Sequence, residues 1–285
     1  MEKTTSVHSE SRHIIDDFTD IFLPFHKQLI VVPNKERYTD TEEGSEMFRL
    51  ILMTIAFLAI VTVNALANIL PINGQTTGEI SNRVPVLFTP AGYVFSIWSV
   101  IYILLAIWIA GFWIRYKKNR ELPSTAISFY FVLSAVSNII WLLLWHYEYF
   151  AWSIAAMLAY LASLILLYLQ YNNNEQKVSE RLPISVNMGW ISVATIANIS
   201  YVLTFYSWGG WGLSNELWAV IMLTVATALA LHIRFHHSDI PFAVVFVWAF
   251  VGIAVKHGLD EMLVTTASLF LSGVIVTGIL LIKKK

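Results

Sequence analysis

Five asparagines fall inside long apolar runs, Asn64, Asn68, Asn138, Asn187 and Asn198, with Ser137, Thr195 and Ser200 close by in sequence. None of these groups titrates near neutrality, so they offer hydrogen bonds rather than proton transfer, either to the polar group of a ligand or from helix to helix. Trp98, Trp141 and Trp190 also sit well inside such runs. An indole brings a broad apolar face and one N–H, which suits the wall of a cavity as well as packing between helices. The tract FTPAGYVFSIW, residues 88–98, adds Pro90, Gly92, Tyr93 and Phe95 to this set. Pro90 fits the first turn of a helix, where its missing N–H costs nothing. Tyr93 and Trp98 have rings with one polar edge, for an interface or for a pocket between helices. The chemistry on offer is uncharged binding of an apolar molecule.

Covalent and redox chemistry find little support. The chain has no cysteine, which excludes disulfides, thiolate metal sites and cysteine nucleophiles. No nucleophile elbow, phosphate-binding Gly-Lys loop or paired-carboxylate site is present, and no basic surface suggests nucleic acid. His232, His236, His237 and Asp239 could present metal ligands from a helix end, but a polar turn rich in His and Arg serves the same position, and no metal is assigned. His146 with Glu148, and Lys256 and His257 with Asp260 and Glu261, read as a solvated rim. No ionisable residue lies near the centre of an apolar run, which weakens a proton-coupled pump. We read the protein as non-enzymatic, with no required cofactor.

The elements that must position these residues are membrane spans. Of the 285 residues, 57% are hydrophobic and 13% charged, against about 25% charged in ordinary soluble domains. Mean hydropathy is +0.64. Eight runs approach the length of about 20 residues that crosses a bilayer, near 50–70, 91–114, 125–145, 150–170, 184–206, 216–233, 240–256 and 261–282. With the amino terminus inside, Arg115, Lys117, Lys118, Arg120, Lys177, Arg181, Arg234 and Lys283–Lys285 fall on one side, and only Arg83 and Lys256 opposite. The positive-inside tendency therefore places both termini in the cytoplasm. Trp113, Trp145, Trp152, Trp208 and Trp211 lie at span ends and read as interfacial belt.

Residues 1–48 form a polar arm in which Ile14, Ile15, Phe18, Ile21 and Phe22 share one helical face, opposite Asp16, Asp17 and Asp20. That piece caps the bundle or docks a partner. Asn64 and Asn68, four apart in the first span, share a face and are expected to meet other helices. The longest external loop follows Leu70, and its apolar end, Val84, Val86, Leu87 and Phe88, favours a lid over a solvated loop.

The tract PVLFTPAGYVFSIWSVIYILL resembles the opening of the second span in the TspO/MBR family, the translocator or tryptophan-rich sensory proteins, where a Pro-Pro-Gly-aromatic turn leads into Phe and Trp. LSAVSNIIWLLLW is similar to the family's third span, with Asn138 and Trp141 in its Asn-x-x-Trp spacing. LPISVNMGWISVATIANISYVL is similar to the fifth, with Pro183, Trp190, Ala194 and Asn198 in matching positions. The resemblance covers about residues 50–206 and implies five helices around a pocket closed by the loop between the first two spans. It implies tetrapyrrole, sterol or synthetic aromatic ligands, and roles in sensing, transport or porphyrin breakdown. Carried over, Pro90, Gly92, Tyr93, Phe95, Trp98, Asn138, Trp141, Trp190 and Asn198 line or shape that pocket.

Two departures bear on chemistry. Ala91 stands where the family turn has its second Pro, and Val202 where the fifth span has a further Trp, which counts against tetrapyrrole photochemistry on paired tryptophans. No Lys or Arg follows Tyr201 within reach, so the sterol-type motif fails. The sequence therefore reads as an all-α polytopic bundle of the plasma membrane. A cytoplasmic arm (1–48) precedes a TspO-like five-helix core (49–206) and three additional spans (207–285). Its expected role is sensory binding of a hydrophobic aromatic or tetrapyrrole-like molecule; the alternative is transport of a small hydrophobic solute. Whether the last three spans pack on the pocket or form a homodimer face stays open.

Overall fold

The computed structural model describes residues 40–120, 122–171 and 178–282. Residues 12–23 of the arm, with their capping or docking role, lie outside the described residues. Nine α-helices are described: α1 (Asp40–Ile69), α2 (Thr77–Asn82), α3 (Ile97–Asn119), α4 (Thr125–His146), α5 (Phe150–Leu169), α6 (Val178–Phe205), α7 (Asn215–His237), α8 (Ile240–His257) and α9 (Met262–Leu281). Short 3₁₀ turns at Ile72–Gly74, Gly92–Ser96 and Gly210–Gly212 interrupt the connections, and the described residues contain no strand. All of these helices except α2 are long and apolar enough to cross a membrane, and the protein is a multi-pass membrane protein.

Local signals set the helix ends. Ser124, Ser214 and Asp239 accept the backbone N–H three residues on, from Ile127, Leu217 and Phe242, and so start α4, α7 and α8. Pro241 sits in the first turn of α8, where no donor is missed. Lys117 and Lys118 close α3 against the negative end of its dipole before Arg120 turns left-handed. Thr76 and Glu79 form a reciprocal capping box that nucleates the six-residue α2.

α4, α6 and α8 are the inner helices. The α6 span is 56% buried and the α4 and α8 spans 50% each, against 28% for α1 and 22% for α9, whose other faces are left to lipid. α6 packs against α3, α5 and α8, while α7, α8 and α9 pack mutually. The final three spans are thus joined to the aromatic-rich part of the bundle through α8. Two glycines allow that approach. A Cβ on Gly189 would meet Phe242 O at 3.1 Å and Val245 Cβ at 3.2 Å. On Gly252 it would overlap Val94 Cγ2 and sit 3.3 Å from Pro90 Cβ, so α8 can lie on the Pro90–Val94 segment only because residue 252 has no side chain.

Candidate functional site

Residues 71–90 form a strap across one end of the bundle, tied to both sides. On one side Asn73 Nδ2 donates to His146 O at 3.0 Å, and Arg83 pairs with Glu148 at 2.9 Å. His146, 1% exposed at the end of α4, is the central tie. A carbonyl only accepts, so Nδ1–H donates to Ile72 O at 3.1 Å, and Nε2 shares a hydrogen bond with the Thr77 hydroxyl at 3.0 Å. On the other side His257 Nε2–H donates to Leu87 O at 2.9 Å, and Lys256 Nζ to Asn82 Oδ1 at 3.2 Å. The strap then runs into the Pro90 turn, where Ala91 N donates to Gly252 O at 3.0 Å and Trp248 Nε1 to Val94 O at 3.1 Å. The Glu148 carboxylate raises the Arg83 pKa, and the Thr76 amide and hydroxyl hold Glu79 below its usual range.

Beneath the strap lies a cavity of about 50 Å³. Thr77, Ser81, Thr89 and Pro90 roof it, and Phe95, Trp98, Trp141, Trp145, Trp190 and Tyr201 supply rings from α4, α6 and the segment that opens α3. Trp141 and Trp145, four apart on α4, stack at 6.1 Å between centroids. Trp145 meets Tyr201 at 4.6 Å, and Trp190 meets Phe95 and Trp98 edge-on at 5.8 and 6.2 Å. The polar groups are of two kinds. Trp141 Nε1 donates to Asn198 Oδ1 at 3.2 Å, and Asn198 Nδ2 donates to Ser153 Oγ at 3.0 Å, a closed network. The Nε1 groups of Trp145 and Trp190 are buried and have no acceptor. Each unmet donor costs about 1–3 kcal/mol, which a ligand carbonyl or ring nitrogen would recover.

A model of TSPO-like proteins matches residues 50–281, all eight spans. The chain belongs to the TSPO-like family. No curated protein and no solved structure matches it.

Of the site residues read from this TSPO-like sequence, the structure gathers Pro90, Phe95, Trp98, Trp141, Trp190 and Asn198 around one cavity. It places the other three elsewhere. Asn138 accepts from Asn64 Nδ2 at 2.8 Å and joins α4 to α1. Gly92 is exposed, and Tyr93 is 45% exposed and packs edge-on against Trp248 at 5.4 Å, because the turn is pressed onto α8. Asn68 does not meet another helix as expected; it is exposed, and its amide donates back to Asn64 O. Trp145 was expected in the interfacial belt and is instead 3% exposed at the cavity wall. Its spacing of four from Trp141 puts both rings on one face of α4, the one signal that finds it. His146, expected on a solvated rim, is buried under the strap.

At the opposite end, Asp239 is committed to a structural node. Asp239, 1% exposed, accepts Ser185 Oγ at 2.6 Å, Tyr168 Oη at 2.8 Å and Phe242 N at 3.0 Å, and pairs with Arg181 Nε at 3.3 Å. This node fastens α5 and α6 to the start of α8. Among the described residues no three His, Asp or Glu side chains gather as a metal site would need.

Proposed function

We propose that this TSPO-like protein is a sensory or regulatory binder of a flat, hydrophobic aromatic molecule bearing hydrogen-bond acceptors, held beneath the strap. The observation that carries the reading is the pair of unpartnered indole N–H groups, Trp145 and Trp190, at a cavity whose rings and small aliphatic groups are joined by Thr77, Ser81, Thr89 and Asn198. Ligand pockets usually measure about 300–1,000 Å³, and this one is about 50 Å³, so binding includes lifting of the strap. The strap's polar ties are single hydrogen bonds and one half-exposed ion pair, each worth about 0–1.5 kcal/mol, and its buried Ile80, Val86 and Phe88 add about 1.5–3 kcal/mol each, so ligand-binding energy must offset both kinds of contact wherever the strap lifts. A tetrapyrrole-like ligand has the flat shape and the acceptors, and needs the strap displaced furthest. The reading is non-enzymatic: the cavity lining carries no carboxylate, imidazole or amine. It includes a plasma-membrane protein with both termini cytoplasmic, supported by Arg115, Lys117, Lys118, Arg120, Arg181 and Arg234 at the end away from the strap.

The test compares tritiated 9-fluorenone with tritiated fluorene, the same ring system without the carbonyl, on the full chain in nanodiscs, with empty nanodiscs subtracted. Saturable fluorenone binding at least about tenfold tighter than fluorene is expected, one recovered hydrogen bond being worth about that factor. Trp145→Phe with Trp190→Phe should erase the preference. Equal affinity for the two compounds, or a preference that survives the double substitution, would overturn the reading.

A further inference from the structure

A second cavity, of about 300 Å³, lies against a different face of α6. Its walls are Pro85–Phe88 of the strap, Ile199, Ser200, Leu203 and Thr204 of α6, the α6–α7 turn, and Trp218, Ala219 and Met222 of α7. The volume reaches the range of small-molecule sites without any movement of the chain. We infer that this cavity is a second binding site, for an uncharged aromatic alcohol or a molecule of that class.

Three observations select the class. No ionisable side chain lines the cavity, so a charged ligand would lose its hydration with no counter-charge to replace it. The walls hold Phe88, Trp208 and Trp218 rings and the Met222 thioether, surfaces that favour a ring. Polar groups line the cavity between them: Ser200, Ser207 and Asn215. Ser192, Thr195 and Thr204 of the same helix each donate to the carbonyl one turn back. Among the described residues no such bond engages the Ser200 or Ser207 hydroxyl or the Asn215 amide. These can donate to and accept from a ligand hydroxyl, as an indole N–H cannot.

The rim is built rather than loose. Ser207 (φ 53°) and Trp211 (φ 52°) both adopt left-handed backbone, a conformation that costs non-glycine residues about 1–3 kcal/mol and that the surroundings must hold. Here Trp218 Nε1 donates to Gly210 O at 2.8 Å, and the rings of Trp208 and Trp218 meet at 5.1 Å. Interfacial anchoring accounts for Trp211, which is 82% exposed, and serves the outer edge of Trp208, which is 36% exposed, but not the half-buried Trp218, which with Trp208 forms the cavity wall.

The experiment is photolabelling of the full chain in phosphatidylcholine nanodiscs with the neutral probe 4-(trifluoromethyl-diazirinyl)benzyl alcohol, adducts being located by mass spectrometry. Adducts should concentrate in 199–208 and 215–222, saturate, and fall at least tenfold with excess 4-(trifluoromethyl)benzyl alcohol but not with 4-(trifluoromethyl)benzoate. Ser200→Ala with Asn215→Ala, which keeps the cavity's shape, should weaken saturable labelling about tenfold, and Met222→Trp, which fills it, should abolish labelling there. Adducts spread over the lipid-facing helices in proportion to the probe in the bilayer would overturn the inference, as would equal competition by the benzoate. Adducts within 141–145 and 190–198 report the strap-covered cavity separately, so either site can fail without the other.

Discussion

The Asp239 node and the strap-covered cavity, towards opposite ends of α6, treat their buried polar groups in opposite ways. At one end Asp239 gathers three hydrogen-bond donors and the Arg181 guanidinium, and every polar atom named there has a partner. At the other, the Trp145 and Trp190 N–H groups are just as buried and have none. A satisfied node holds helices together, whereas unmet donors beside a cavity weaken the fold unless something else supplies the acceptor. The Asp239 node is a fastening, and the strap-covered cavity is the site we propose.

Substitutions can separate the two roles. The largest effect is expected from Asp239→Ala, which strands Arg181, Tyr168 and Ser185 and removes the cap of α8. Breaking a buried pair costs about 3–5 kcal/mol, so the thermal midpoint in nanodiscs should fall sharply. Gly252→Leu comes next, at about 1–3 kcal/mol, because its side chain collides with Val94 and Pro90 and pushes the turn off α8. Faster hydrogen exchange of Ala91 and Val94 amides would report the displacement. Trp145→Phe with Trp190→Phe inverts the pattern: it deletes two unmet donors at the expense of some packing, so stability should change by under about 1.5 kcal/mol while fluorenone binding weakens about tenfold. A fall in stability as large as that of Asp239→Ala would make the indoles a fastening too.

Smaller effects belong to the strap. Arg83→Gln removes a half-exposed ion pair worth up to about 1 kcal/mol, and should raise exchange in 72–83 while leaving the thermal midpoint nearly fixed. The Glu79 carboxylate is held below its usual pKa by Thr76, so its contribution is complete above the ordinary carboxylate range and is lost as pH falls through the depressed value. Exchange of α2 amides, corrected for intrinsic rate, should rise on that descent and be insensitive to pH in Glu79→Gln.

All eight spans were legible from apolar run length, because a bilayer demands about 20 residues and the chain has little else of that kind. Six of the nine residues carried over from the family's motifs meet at one cavity for a related reason: Trp190 and Asn198 lie two turns apart on α6, with Ala194 between them on the same wall. Trp145 was hidden by its position, since a tryptophan near a span end has two uses and only the neighbouring helix decides between them. Asp239 misled in the same way: local spacing joined it to the nearby histidines, while its real partners lie at 168, 181 and 185. The second cavity left no trace in sequence, because it exists only where α7 and the strap close on α6.

The site we propose requires that the Trp145 and Trp190 N–H groups await a ligand acceptor. Indole ¹⁵N–¹H spectra of the ¹⁵N-tryptophan protein in nanodiscs, assigned with the two Phe variants and recorded during addition of 9-fluorenone, test it most directly. Those two resonances should move downfield and saturate together, with Trp141, already bonded to Asn198, moving least among the cavity indoles. Saturable fluorenone binding that leaves both resonances in place would contradict it.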